Sequence, residues 1–214
     1  MKEYIPLAAT DAAPVAAASA VAAAAPIIHE HYTDYPLNEA SIATANLLSH
    51  SKQTIPHYYL TVDVTLDSLI DLRATLNTSL PEDGQISLND LLIKAAACSM
   101  KSCPAANAAW MSDAVRMYDA VDMNVVMGNG DTLYAPLISD VGGRGVKSIS
   151  EELASNLEQI EEGSVGENAS FTNVGTVTFM NLGMYGVKSC APIIRAPQAV
   201  AVALGAAAEQ DGRG

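Results

Sequence analysis

The sequence predicts an α/β (α+β) fold, a mixed β-sheet flanked by helices and incomplete at its C-terminal end. Three observations point there. Short runs such as 57–64 and 121–127 alternate apolar and polar residues, as half-buried strands do. Other stretches repeat their apolar residues at helical spacing behind capping residues. Several neighbouring strands are joined by turns too short for a crossover helix, which favours a mixed sheet with helices on one face over a doubly wound parallel one.

Hydrophobic periodicity begins near His29–Asp34, so the domain boundary is placed at residues 33/34. Residues 37–50 read as a helix with Asn38 as its cap. In 57–64 (HYYLTVDV), Tyr58, Leu60, Val62 and Val64 fall on one side and His57, Tyr59, Thr61 and Asp63 on the other, the signature of a strand with one buried face. From Leu66 the spacing becomes helical, with Leu66, Leu69, Ile70, Leu76 and Leu80 in a stripe that ends at the turn Pro81-Glu82-Asp83-Gly84. Ser87 and Asp90 resemble a capping box for a helix running to about Ser102, before Pro104. Val121, Met123, Val125 and Met127 alternate as a strand, and Gly128-Asn129-Gly130-Asp131 turns the chain into a second strand over 132–138. Ser148 and Glu151 suggest another capping box, with Ile149, Leu153, Leu157 and Ile160 along its helix. Strands follow at about 174–180 and 198–204. The chain stops at Gly214 with no closing helix after the last strand.

Composition narrows the function. The 214 residues suit one domain plus a tail. A net charge of −13 argues against nucleic acid and against docking onto anionic lipid. Three cysteines, Cys98, Cys103 and Cys190, lack C-x-x-C spacing and read as buried, reduced thiols. Residues 12–26 are alanine-rich and bracketed by Pro14 and Pro26, too short and too weakly apolar for a membrane span. They read as an Ala/Pro-rich linker, or as the remnant of a processed targeting sequence. Gly142-Gly143-Arg144-Gly145 lacks phosphate-loop spacing and reads as a mobile loop. His29 and His31 read as exposed rather than metal-binding, and His50 as a surface residue at a helix end. His57 is the one histidine placed to enter a site.

A longer pattern is more informative than any of these. Ser51-Lys52-Gln53-Thr54-Ile55-Pro56-His57-Tyr58-Tyr59-Leu60, with Val62-Asp63-Val64, is similar to the opening strand of the dihydrolipoyl acyltransferase core. Further matches follow in the family's order: Ile86 to Asp90 with Ile93-Lys94-Ala95, Pro104 with Ala106-Asn107 and Trp110, and Val121 to Val125. Leu133 to Leu137, Asn181 to Gly186, and Pro197-Gln198-Ala199 leading to Leu204-Gly205-Ala206 complete it, covering roughly 34–206. The resemblance implies a chloramphenicol-acetyltransferase-like fold that trimerises. By it, residues 1–33 are linker or targeting remnant, and 34–214 are the core domain without the family's last strands and helix. It also implies a channel lined by His57, Asn181, Leu133, Tyr134 and Pro136.

The same resemblance shows what is missing. The family's general base is a histidine in a His-x-x-x-Asp-Gly or -Asn-Gly motif, which has no counterpart here. Its oxyanion donor is a serine in Thr-x-Ser-Asn-Leu-Gly, and this sequence reads Thr178-Phe179-Met180-Asn181-Leu182-Gly183, with Met180 in the serine position. A thioether donates no hydrogen bond. Basic residues on the family's first helix are matched by Ser41, Ile42 and Leu47, which weakens a coenzyme A site and makes these three candidates for partner contact. The resemblance therefore implies a non-catalytic structural subunit. It would sit in a pyruvate dehydrogenase-type core beside active acyltransferase chains, or in another large organellar assembly, respiratory or photosynthetic. No metal is expected, and coenzyme A or a lipoyl group only if the ancestral channel survives. The mitochondrial matrix is the expected location, with a plastid as the alternative. Two other readings stay open: a fragment of an active dihydrolipoamide acetyltransferase, and a ligand-binding module that keeps the channel without the chemistry.

Overall fold

A computed structural model describes residues 25–37, 39–81, 84–129, 132–164 and 173–208. The chain opens with a small antiparallel ribbon of β1 (Ile27–Ile28) and β2 (Thr33–Asp34), in which His29 pairs with Asp34 and stacks on Tyr32. Helix α1 (Glu39–Thr54) starts near the expected residue but runs four residues past 50, so His50 lies inside it rather than at its end. Asn38 lies outside the described residues. Helix α2 (Asp67–Thr78) has no buried residue, and its leucine stripe packs only partly, against α3 (Leu88–Ser102). Two bonds fasten α2 to the chain before α3: Asn77 Nδ2 donates to the Ile86 carbonyl (3.0 Å) and Ile86 N–H to Asn77 Oδ1 (2.9 Å).

The capping box at the start of α3 is present as read. Ser87 Oγ accepts from Asp90 N–H (3.1 Å), and Asp90 returns a bond from Ser87 N–H (2.8 Å). A short 3-10 turn, Pro104–Ala106, leads into the ribbon of β3 (Ala108–Trp110) and β4 (Val115–Met117).

The main sheet is mixed, in the order β6-β5-β8-β9. Strands β5 (Met123–Asn129), β8 (Val177–Asn181) and β9 (Ala201–Leu204) run parallel. The single strand expected over 132–138 is two, β6 (Thr132–Tyr134) and β7 (Leu137–Ile138), both antiparallel to β5. Pro136 interrupts it because it has no N–H to give to the ladder, yet its carbonyl still accepts from Val125 N–H at 3.1 Å. The connecting turn at Gly130 and Asp131 lies outside the described residues.

Helix α4 (Val146–Glu161) and α3 cover one face of this sheet. Ile93, Ala97 and Met100 of α3 and Ile149 and Leu153 of α4 close on Met123, Val125, Val177 and Phe179, giving one core. Leu157, expected in that stripe, is 44% exposed. The second expected capping box is absent. Gly145 caps α4 without a side-chain bond, the hydroxyl of Ser148 accepts instead from Arg144 Nη2 (2.7 Å), and Glu151 pairs with Lys147.

Three further expectations are corrected. Residues 57–64 form no strand, and Tyr58, Leu60, Val62 and Val64 are exposed, because no described segment supplies the ladder that the alternation needs. Cys98 and Cys103 are exposed and Cys190 half-buried; Cys98 falls outside the buried stripe of α3. The Gly142–Gly145 loop is clamped rather than mobile: Lys94 donates to the carbonyls of Val141 (3.0 Å), Gly142 (2.9 Å) and Arg144 (2.7 Å). No described helix is long and apolar enough to cross a membrane.

Candidate functional site

The sheet face opposite α3 and α4 carries polar residues that the sequence reading passed over. Alternation along β5 and β8 turns Asn124, Thr178 and Met180 away from the core. Asn124 Nδ2 donates to the carbonyls of Ala135 (3.0 Å) and Asn173 (2.9 Å), and its Oδ1 accepts from Gly175 N–H (2.6 Å). Gln198 Nε2 reaches the Gly175 carbonyl (3.0 Å), while Gln198 Oε1 accepts from Thr178 Oγ1 (2.6 Å). All three residues are buried. The network locks Thr178 as a donor to an amide, so its hydroxyl is not set up as a nucleophile. Gly175 must be glycine here, because a Cβ would stand 2.5 Å from the Asp122 carbonyl oxygen.

Beside this network, Met180 lies half-buried between Val126 and Ala203 on the neighbouring strands. Asn181 turns to the helix face. Its Oδ1 accepts from Gly183 N–H (2.9 Å) and its Nδ2 donates to Asn89 Oδ1 (3.1 Å), tying the 3-10 turn Gly183–Tyr185 to the start of α3. Leu133 is 50% exposed opposite Gly128, Tyr134 lies opposite Met127, and Pro136 is buried.

His57 is engaged at both ring nitrogens. Ile194 N–H donates to Nε2 (3.0 Å), so Nε2 carries a lone pair and the proton sits on Nδ1, which donates to the Ile55 carbonyl (2.7 Å). The imidazole thus joins the exit of α1 to the segment before Arg195. With its basic nitrogen occupied by main chain, it is not poised to take a proton from a substrate. Beside it, Ser51 donates to the Ile194 carbonyl, and Lys52 donates to the Tyr59 hydroxyl. An open groove of about 420 Å³ runs here, lined by Ala45, Leu48, Ser49, Lys52, Gln53 and Ile193. On the same helix, Ser41 and Leu47 are half-buried and Ile42 is 45% exposed.

Arg195 is fully buried, donating from Nη2 to the Asn173 carbonyl (2.8 Å). Burial lowers its guanidinium to about 10, which leaves it charged at neutral pH. Among the described residues no cluster of three His, Cys, Asp or Glu could hold a metal. Nor does any hydrogen bond join His57 to Asn181, to Met180 or to the Leu133–Pro136 segment. Sequence spacing carried no signal for the Asn124–Thr178–Gln198 network, whose members are brought together only by strand pairing.

Residues 29–211 match the family profile of the 2-oxoacid dehydrogenases acyltransferase (catalytic domain). This chain belongs to that family. It is 37% identical over 179 residues to the dihydrolipoyllysine-residue acetyltransferase component 3 of the mitochondrial pyruvate dehydrogenase complex of Arabidopsis thaliana, covering 82% of this chain and 33% of that protein. With the corresponding component of Rickettsia typhi it shares 34% identity over 183 residues, 85% of this chain and 45% of the relative. The chain therefore spans less than half the length of these relatives. Among solved structures, a probable dihydrolipoamide acetyltransferase from Listeria monocytogenes superposes with a TM-score of 0.76 at 25% identity, covering 83% of this chain and 76% of that one. The fold also matches an Azotobacter vinelandii dihydrolipoamide acetyltransferase, in which a serine, a histidine and an asparagine were investigated for roles in the catalytic mechanism. The TM-score there is 0.78 at 21% identity, with 84% of this chain and 74% of that one covered.

Proposed function

We propose that this acyltransferase-family chain is a non-catalytic structural subunit. It serves in a pyruvate dehydrogenase-type core beside active acyltransferase chains, or as an accessory subunit recruited into another large organellar assembly. The observation that carries the reading is Met180. It lies in a strand paired on both sides, inside the residues that match the family profile, and so this observation does not depend on where the chain ends. A thioether in place of a hydroxyl removes an oxyanion donor, a loss of about 3–4 kcal/mol of transition-state stabilisation. His57, with both ring nitrogens bonded to main chain, is not arranged as a general base. Ser41, Ile42 and Leu47 on α1 are proposed as partner contacts. Relatives from Arabidopsis thaliana and Dictyostelium discoideum are mitochondrial, which supports a place in the matrix.

The test is acetyl transfer from acetyl-coenzyme A to dihydrolipoamide by the purified chain. No turnover above buffer is expected from the unaltered chain. Turnover by the unaltered chain would overturn the proposal in favour of an active acetyltransferase. Recovery from its native source only as a free monomer would also sink it.

A further inference from the structure

No residue of 58–65 gives or takes a main-chain hydrogen bond. Both ends of this stretch are nevertheless fixed: the His57 ring is bonded to Ile55 and Ile194, and α2 begins at Asp67. Anchoring at both ends lowers the cost of ordering the backbone against a partner. Tyr58, Leu60, Val62 and Val64 are 81%, 83%, 78% and 72% exposed, Tyr59 is 45% exposed, and Thr61 and Asp63 are exposed as well. The stretch is therefore open to a neighbouring strand. Nature's usual guards of a bare strand are missing from 58–64, which holds no proline, no glycine and no lysine, and a single charge, Asp63. Asp63 has neither an ion pair nor a hydrogen bond among the described residues. Close to it in sequence, Tyr59 carries a cation: Lys52 donates to its hydroxyl and lies over its ring, 5.0 Å from the centroid.

We propose that residues 58–64 are a dimerisation strand, pairing antiparallel with the same residues of a second copy about a two-fold axis at Thr61. In that register Tyr58 meets Val64 and Leu60 meets Val62 on one face. On the other face Thr61 meets Thr61 and Tyr59 meets Asp63. Aromatic with β-branched and Thr with Thr are pairs that stabilise an antiparallel ladder. Other registers are worse. A slip of one residue sets Leu60 against Thr61 and sends the two apolar rows to opposite faces. Centring the axis on Leu60 draws in Pro56, which has no N–H, and His57, whose ring is already held by Ile194. Centring it on Val62 pairs Tyr58 with Leu66, whose ψ of 0° has left the extended range. Parallel pairing in register sets Asp63 on Asp63. Charge favours the same arrangement. With Tyr59 opposite Asp63, the Lys52 ammonium of each copy comes beside the free carboxylate of the other, and the two-fold axis repeats the contact. Such a symmetric contact closes at two chains. It is short, so the dimer is weak and depends on concentration.

The test is sedimentation of the full chain together with disulfide trapping, the latter in a background of Cys98→Ser and Cys103→Ser that removes the exposed thiols. Residues directly opposite in an antiparallel pair have Cα atoms about 4.5 or 5.5 Å apart, a separation that a disulfide spans. Thr61→Cys is therefore expected to give a linked dimer on mild oxidation, and the background alone none. Tyr59→Cys and Asp63→Cys are expected to link to each other when mixed, and neither to itself, because like copies stand about 13 Å apart along the ladder. All three positions are on exposed or half-exposed side chains, so the fold is kept. Asp63→Asn should weaken the sedimenting dimer about two- to thirtyfold, two exposed ion pairs being lost at once. Three outcomes overturn the proposal: a monomer or an open-ended aggregate in place of a dimer; Thr61→Cys chains that stay unlinked while the unaltered chain dimerises; or Tyr59→Cys linking to itself as fast as to Asp63→Cys. Acetyl transfer enters none of these readings, so this proposal and the proposed function fail separately.

Discussion

Lys94 ties helix α3 to a distant loop. Its ammonium is half-buried and meets three main-chain carbonyls of one loop, so the Gly142–Gly145 segment is fixed from a residue 47 or more positions away. Hydrogen bonds to a charged group contribute about 1.5–3 kcal/mol each before mutual dependence is considered. Lys94→Met removes the donor, keeps the stem, and leaves carbonyls of Val141, Gly142 and Arg144 short of a partner. The expected cost is about 2–3 kcal/mol, since the loop relaxes toward water and recovers part of the loss. It would be read as a lower denaturant midpoint with an unchanged slope. The nearby Arg144–Glu152 pair is a useful contrast. Both side chains are about a third exposed, at 30% and 33%, and such pairs are worth at most about 1 kcal/mol. Two basic side chains serve the same loop, and Lys94 is the one that meets three of its main-chain carbonyls.

At the scale of elements, two similar sequence signals had opposite outcomes. Ser87 and Asp90 cap α3 because nothing else competes for either side chain. Ser148 and Glu151 have comparable spacing, but Arg144 captures Ser148 and the helix starts earlier, at Gly145. Replacing Ser87 with Ala is expected to destabilise the domain by about 1 kcal/mol, whereas Ser148→Ala should change it by less than about 0.5 kcal/mol. Thermal or chemical unfolding of the two variants side by side checks this. The comparison also shows what was legible in the sequence. Local devices were: the α3 cap, the apolar stripe of α4, the alternation of β5. Non-local ones were not. Asn124 meets Gln198 across 74 positions and His57 meets Ile194 across 137, and no window of sequence contains both partners. The segment 57–64 failed for a related reason, because alternation reports a strand's faces and says nothing about whether a ladder partner exists.

The whole molecule is unevenly built. The core lies under α3 and α4, whereas α2 has no buried residue and only Ser51 of α1 is buried among the described ones. Around them Leu60, Val62, Tyr58 and Val64 are 72–83% exposed, on a stretch of backbone with no ladder. Apolar surface of this extent, next to backbone that pairs with nothing described, is a hazard when it is bare, and on the proposed function it is the face a partner chain is expected to cover. Leu60→Lys with Val62→Lys tests this at the scale where it matters. The two side chains are 83% and 78% exposed, so the thermal midpoint of the isolated chain should stay within the spread of surface substitutions, about 0.5 kcal/mol. Association should fall. The substitutions move a net charge of −13 toward zero by two, which reduces self-repulsion, so weaker association could only come from lost apolar contact. Expressed in its native setting, the double variant is expected to leave any large assembly and sediment as a small species. Co-sedimentation at the unaltered stoichiometry would mean that the partner meets the chain elsewhere, with α1 the next surface to alter.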